Sequence, residues 1–106
     1  MGIDFSTYIF VGARVSKKKL DTLEELEEDF EVDDKAPDTI IDGICGEYGY
    51  IGRILSSVGQ SDCFEDLPIP DPSSTIAEVE KIIEKHGKAL GVKKKDIKFR
   101  VINHIY

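Results

Sequence analysis

Thr39-Ile40-Ile41-Asp42-Gly43-Ile44-Cys45-Gly46-Glu47-Tyr48-Gly49-Tyr50-Ile51-Gly52-Arg53-Ile54-Leu55-Ser56-Ser57-Val58 is the stretch on which the fold turns. Two readings compete for it. Ile51, Ile54, Leu55 and Val58 fall at helical spacing, whereas the β-branched and aromatic residues between short polar breaks spell two strands. Glycines at positions 43, 46, 49 and 52 recur every third residue, which weakens any regular element. The glycine content and the aromatics Tyr48 and Tyr50 favour strands. Thr39-Ile40-Ile41 and Ile44-Cys45 then belong to one strand, and residues 48–58 form its hairpin partner. Asp42-Gly43 and Gly46-Glu47 are competing sites for the turn.

Upstream, residues 7–15 alternate Ile9, Val11, Ala13 and Val15 with Tyr8, Phe10, Gly12 and Arg14, the period of a strand. The small aliphatic set is expected in the core, with Tyr8, Phe10 and Arg14 on the opposite face. Leu20, Leu23, Leu26 and Phe30 follow at helical spacing and leave the glutamates outside. Asp21 with Glu24 is a start signal for that helix, and Ser16 an alternative cap. Asp33, Asp34 and Pro37 close it.

Downstream, residues 59–74 read as a long connection in which Pro68, Pro70 and Pro72 alternate in extended geometry. Phe64, Leu67 and Ile69 tack it onto the core. Thr75-Ile76-Ala77-Glu78 reads as a capping box for a second helix, with Ile76, Val79, Ile82, Ile83 and Leu90 as its stripe. Gly91 suits its C-terminus, and Gly87 inside it predicts fraying after His86. A last strand covers residues 96–106, with Ile97, Phe99, Val101 and Ile105 facing one way and Lys98, Arg100, Ile102, His104 and Tyr106 the other.

The order strand, helix, strand, strand, helix, strand predicts an α+β fold. The expected arrangement is a ferredoxin-like βαββαβ domain over residues 1–106, a four-stranded antiparallel sheet with two helices on one face. The length of 106 residues allows one domain, and 41% hydrophobic with 33% charged residues is a soluble globular profile. No apolar run is long enough to span a bilayer. Two cysteines, Cys45 and Cys63, make no disulfide framework and fit free thiols in the cytoplasm.

Charge is distributed unevenly. The net charge is −7, yet nine acids (Asp21, Glu24, Glu25, Glu27, Glu28, Asp29, Glu31, Asp33 and Asp34) stand between residues 21 and 34 with no base among them. Removing those nine leaves 12 acids against 14 bases, a remainder of +2. Within that remainder stand the triplets Lys17-Lys18-Lys19 and Lys93-Lys94-Lys95. A concentrated negative face steers onto basic partner surfaces and can imitate nucleic-acid phosphates. The expected function is therefore that of a non-enzymatic inhibitor or accessory factor that docks on a protein through this acidic helix. Its character suits a virus- or mobile-element-encoded protein, monomeric or homodimeric, with no membrane partner.

The alternative uses the other face. Tyr8, Phe10, Arg14, Lys17, Lys18, Lys19, Tyr48, Tyr50, Lys98 and Arg100 would gather on the helix-free side of the sheet, rings for stacking and cations for phosphate, as a nucleotide or single-stranded nucleic acid requires. Ile9-Phe10-Val11-Gly12 resembles the strand-one motif of the RNA recognition motif family, and Tyr48-Gly49-Tyr50-Ile51 is similar to the centre of its strand-three motif. That resemblance implies stacking roles for Phe10, Tyr48 and Tyr50. Gly46 and Glu47 stand where the family has a basic residue and a glycine, Arg53 replaces an aromatic, and the proline-rich connection is foreign to it.

Catalytic and metal chemistry lack a signature. His86 and His104 are the only histidines, and neither neighbours a serine or cysteine nucleophile in sequence. Cys45, Cys63, His86 and His104 contain no close ligand pair for zinc. The glycines match no nucleotide loop, and the aspartates around Asp33 to Asp42 lack calcium-loop spacing. No enzyme activity, metal or cofactor is expected.

Overall fold

The computed structural model describes residues 5–30, 36–42, 46–59 and 71–105. Strand β1 (Phe5–Val15) runs through a 3-10 turn (Lys17–Lys19) into helix α1 (Leu20–Phe30). Strands β2 (Asp38–Ile41) and β3 (Gly49–Gly59) follow, then helix α2 (Pro72–Leu90), a 3-10 turn (Lys94–Asp96) and strand β4 (Lys98–Ile105). The sheet order is β2-β3-β1-β4, and every neighbouring pair is antiparallel. The molecule is thus α+β, with four antiparallel strands and two helices. Among the described residues no helix is long and apolar enough to cross a membrane.

Within the stretch 39–58, β2 and β3 pair as antiparallel strands, as its glycines and aromatics predict. Asp42 N–H donates to the Tyr48 carbonyl at 3.0 Å, and Glu47 N–H to Asp42 Oδ2 at 3.1 Å, which ties the end of β2 to the approach to β3. Gly49 and Gly52 serve close packing. A Cβ on Gly49 would fall 2.6 Å from Leu20 Cδ2 and 2.9 Å from Leu23 Cδ2, so α1 seats directly on the backbone there. Gly12 and Gly52 are partners across β1 and β3, and a Cβ on Gly52 would lie 2.0 Å from the Val11 oxygen. A register shift follows: Phe10 opposes Ile54 while Ile9 opposes Ser56, which makes Leu55 an extra residue. Asp38 Oδ2 accepts the Ile54 N–H at 2.8 Å beside that bulge.

Two apolar clusters flank the sheet. On the helix side Val11, Ala13, Val15 and Ile51 pack against Leu23, Val79, Ile82 and Ile83, as the alternation in β1 predicts. The opposite side holds Phe10, Ile40 and Ile102, with Tyr8, Tyr48, Tyr50 and Ile54 against them.

As the start signal at Asp21 and Glu24 leads one to expect, α1 begins after the lysines, which occupy the 3-10 turn with the Lys19 N–H on the Ser16 carbonyl at 2.9 Å, and Asp21 lies in its first turn. This keeps three cations out of the first α-helical turn, where they would oppose the helix dipole. Two local expectations are corrected. α2 begins at Pro72, with Asp71 as N-cap accepting from the Ser73 N–H at 3.1 Å, so Thr75 is inside the helix and donates its hydroxyl to the Asp71 carbonyl. Proline suits the first helical position because it lacks the N–H left orphaned there. α2 also continues past His86 to Leu90, since the N–H groups of Gly91 and Val92 both bond the Gly87 carbonyl. On β4, Phe99 is 54% and Val101 73% exposed, because β4 is an edge strand and α2 lies over β1 and β3. Ile44, Cys45 and Tyr106, expected in strands, lie outside the described residues, as do Cys63, Phe64, Leu67 and Ile69.

The closure over Gly87 reverses a usual sign. Helix propensity alone makes Gly87→Ala stabilising by about 1 kcal/mol. The new Cβ would meet the Val92 oxygen at 2.6 Å, a backbone atom locked in the helix cap. We expect Gly87→Ala to destabilise by roughly 1–3 kcal/mol, read from the urea midpoint.

Candidate functional site

α1 presents its acids as the periodicity requires. Leu20 and Leu23 are buried, Leu26 and Phe30 pack on the core, and Asp21, Glu24, Glu25, Glu28 and Asp29 are exposed. Glu27 departs from this group: it is half-buried and accepts a hydrogen bond from the Thr39 hydroxyl of β2 at 2.5 Å. Among the described residues the ion pairs are Lys17–Glu47, Arg53–Glu78 and Lys94–Glu84, and none involves an acid of α1. Glu31, Asp33 and Asp34 lie outside the described residues.

Beside the acidic face runs a groove of about 770 Å³ between α1 and α2, lined by Leu26, Asp29, Phe30, Pro37, Ile82 and His86. Phe30 meets the His86 ring edge-on, 5.1 Å between centroids. Arg53 braces this side of the molecule: its Nε donates to Glu78 Oε1 at 2.7 Å, and a second guanidinium N–H reaches the Ala36 carbonyl.

The opposite sheet face departs from the expectation of an open stacking platform. Phe10 is 0% exposed. Its Cε1 lies 2.5 Å from where a Gly12 Cβ would stand, so the ring occupies the space that the glycine leaves. Tyr50 meets it edge-on at 6.1 Å and Tyr48 meets Tyr50 at 5.8 Å. Phe10 therefore has no free face for a base. Tyr8, Tyr48 and Tyr50 are half-buried, while Arg14 and Lys98 are exposed.

Arg100 is held back onto the protein, its Nε on the Gly12 carbonyl at 3.2 Å and another N–H on the Asp96 carbonyl at 3.4 Å. Its guanidinium lies 5.4 Å from the Tyr50 ring centre. Lys17 reaches Glu47 at 3.2 Å, and Lys18 and Lys19 are exposed. The two lysine triplets do share one end of the sheet, since β4 starts at Lys98 opposite Gly12 while β1 runs on toward Ser16. Sequence reading did not pair His104 with Tyr48, whose hydroxyl lies 3.1 Å from its Nδ1. Only the β1–β4 and β1–β3 registers bring those residues together.

Both histidines sit below their ordinary pKa. Partial burial is the main cause for each; Lys85 adds to it at His86, and Asp42 opposes it at His104. The folded chain thus resists protonation that the unfolded chain accepts. Stability is complete above the usual histidine range and falls as pH drops through it. We expect the melting temperature to decline between about pH 7.5 and pH 5.5, and His86→Gln with His104→Gln to flatten that decline. Melts at constant ionic strength measure it.

Among the described residues no three of His, Cys, Asp or Glu gather as a metal site. Compared with protein-family models, curated proteins and solved structures, the chain matches none.

Proposed function

We propose that this chain is a ferredoxin-like βαββαβ binding protein without enzyme activity, which docks on a basic surface of another protein through the acidic face of α1. The observation that carries this reading is the set of five exposed carboxylates, Asp21, Glu24, Glu25, Glu28 and Asp29, with no basic partner among the described residues. Asp21 with Glu25, Glu24 with Glu28, and Glu25 with Asp29 are like-charged pairs at i,i+4, each costing the helix a few tenths of a kcal/mol. A surface helix selected for stability alone would place lysines in some of these positions. The opposite charge of a basic partner offsets that repulsion with attraction, and its long-range field gives fast, steered association.

Such a face suits an inhibitor that covers a nucleic-acid-binding groove, as a cytoplasmic accessory factor encoded by a virus or mobile element would. The nucleotide reading on the opposite face loses its central ring with Phe10 buried.

Reversing Glu24, Glu25, Glu28 and Asp29 to lysine is the test. The fold is expected to persist, because all four side chains are exposed. Partners retained from nuclease-treated lysate by the wild type should be lost by the variant. Wild-type retention should also weaken as salt shortens the Debye length below about 8 Å. Retention indifferent to both reversal and salt contradicts the proposal.

A further inference from the structure

β4 ends the sheet order and pairs with β1, so among the described residues no strand lies along its outer edge. Sheet edges are normally guarded by charges, proline or bulges, because a bare edge invites another strand. This edge carries the exposed cation Lys98, yet beside it stand Phe99 and Val101, 54% and 73% exposed. Phe99 opposes Val11 and Val101 opposes Ile9, which sets both on the helix side of the sheet. There a cavity of about 350 Å³ opens between α2 and β4, walled by Val11, Ile76, Ile97 and Phe99 and rimmed by Lys94, Lys95 and Lys98 against the single carboxylate of Glu80.

Charge specifies what the edge would take. Between residues 93 and 104 stand five bases and one acid. Arg100 is turned inward onto the Gly12 and Asp96 carbonyls, and Lys94 is paired with Glu84. Lys93, Lys95 and Lys98 are exposed, and no described ion pair involves them.

We propose that this edge receives an extended segment of a partner protein in which acidic and apolar residues alternate, added antiparallel to β4 as a fifth strand. The backbone of the segment pairs with the strand edge. One of its apolar side chains enters the cavity beside Phe99, and its carboxylates meet Lys95 and Lys98. This division, with affinity from the main chain and selectivity from alternate side chains, is the physics of strand addition. A second copy of β4 would bring cations and no carboxylate except Asp96 to the seam, which disfavours self-pairing.

The probes are an end-capped octapeptide alternating Asp with Val, its Lys/Val counterpart, and an Asp/Val peptide N-methylated along one edge. Amide hydrogen exchange by NMR reads the result. The Asp/Val peptide should slow exchange of alternate amides in residues 98–103 by at least roughly tenfold, the usual consequence of protecting an edge strand. The Lys/Val peptide should bind at least about tenfold more weakly, and one-edge N-methylation should abolish the protection. Val101→Lys, at a side chain exposed enough to leave the fold intact, and Lys95→Glu with Lys98→Glu should each remove binding. Equal binding of the two peptides overturns the proposal, as does unchanged exchange at saturating peptide. So does a chain already dimeric through β4 without peptide.

Discussion

Gly52→Val is expected to leave the chain with little or no stable folded population at room temperature. The side chain would begin 2.0 Å from the Val11 oxygen and 2.6 Å from the Gly12 Cα, both backbone atoms of the neighbouring strand. Neither can turn aside as a flexible side chain would, so relief requires β1 and β3 to separate at the centre of the sheet. Overpacking a core costs about 1–3 kcal/mol when side chains can adjust. Here the obstruction is the strand itself, and the loss consumes most of the roughly 5–15 kcal/mol available to a domain. Gly12→Ala, whose Cβ would fall 2.2 Å from the Ile51 oxygen, should cost at least about 2 kcal/mol and lower the melting temperature by roughly 10 °C. Circular dichroism against temperature and urea measures both. A loss below about 1 kcal/mol for either would contradict the close apposition of these strands.

Phe10→Ala should destabilise the chain by about 3–5 kcal/mol, as expected for a fully buried aromatic ring. Its effect on partner binding per folded molecule should be negligible. A nucleic-acid platform makes the opposite prediction, with modest destabilisation and a loss of about 1–3 kcal/mol per stacked base. Phe10→Leu separates these outcomes further: it retains much of the buried volume but no aromatic face. Stability near wild type together with lost oligonucleotide binding would revive the platform reading, whereas the burial of Phe10 predicts partial destabilisation and no oligonucleotide effect.

The elements of the fold were legible where periodicity was strong. The alternation in β1 puts Val11, Ala13 and Val15 on the helix side, and the hydrophobic spacing places α1 and α2. The hairpin at β2 and β3 was readable from composition, but the reason for its glycines was not. Gly49 makes room for Leu20 and Leu23, while Gly52 makes room for Gly12, and such clearances exist only once distant segments meet. The same limit explains Phe10, which alternation assigned to the correct face but could not show to be covered. Alternation likewise puts Phe99 and Val101 on one face of β4, but it reports a face and not whether a helix reaches it. Asp71-Pro72 was available as a helix start, yet the proline series concealed it behind a weaker signal at Thr75.

The exposure of the α1 acids was the most local of the readings. Its exposed residues follow directly from the helical spacing of Leu20, Leu23, Leu26 and Phe30. Glu27 was the exception, since its partner Thr39 belongs to another element.

Zero-length carbodiimide coupling of the chain to its captured partner tests the central claim most directly, because it joins carboxylates to lysines already in contact. Trypsin cuts after Lys19 and Lys35, so a single peptide carries all nine acids of the run. Docking through α1 predicts that cross-links concentrate in that peptide, on Glu24, Glu25, Glu28 and Asp29, and disappear when these four are reversed. Cross-links concentrated on other carboxylates, with the α1 peptide recovered unmodified from the complex, would contradict it.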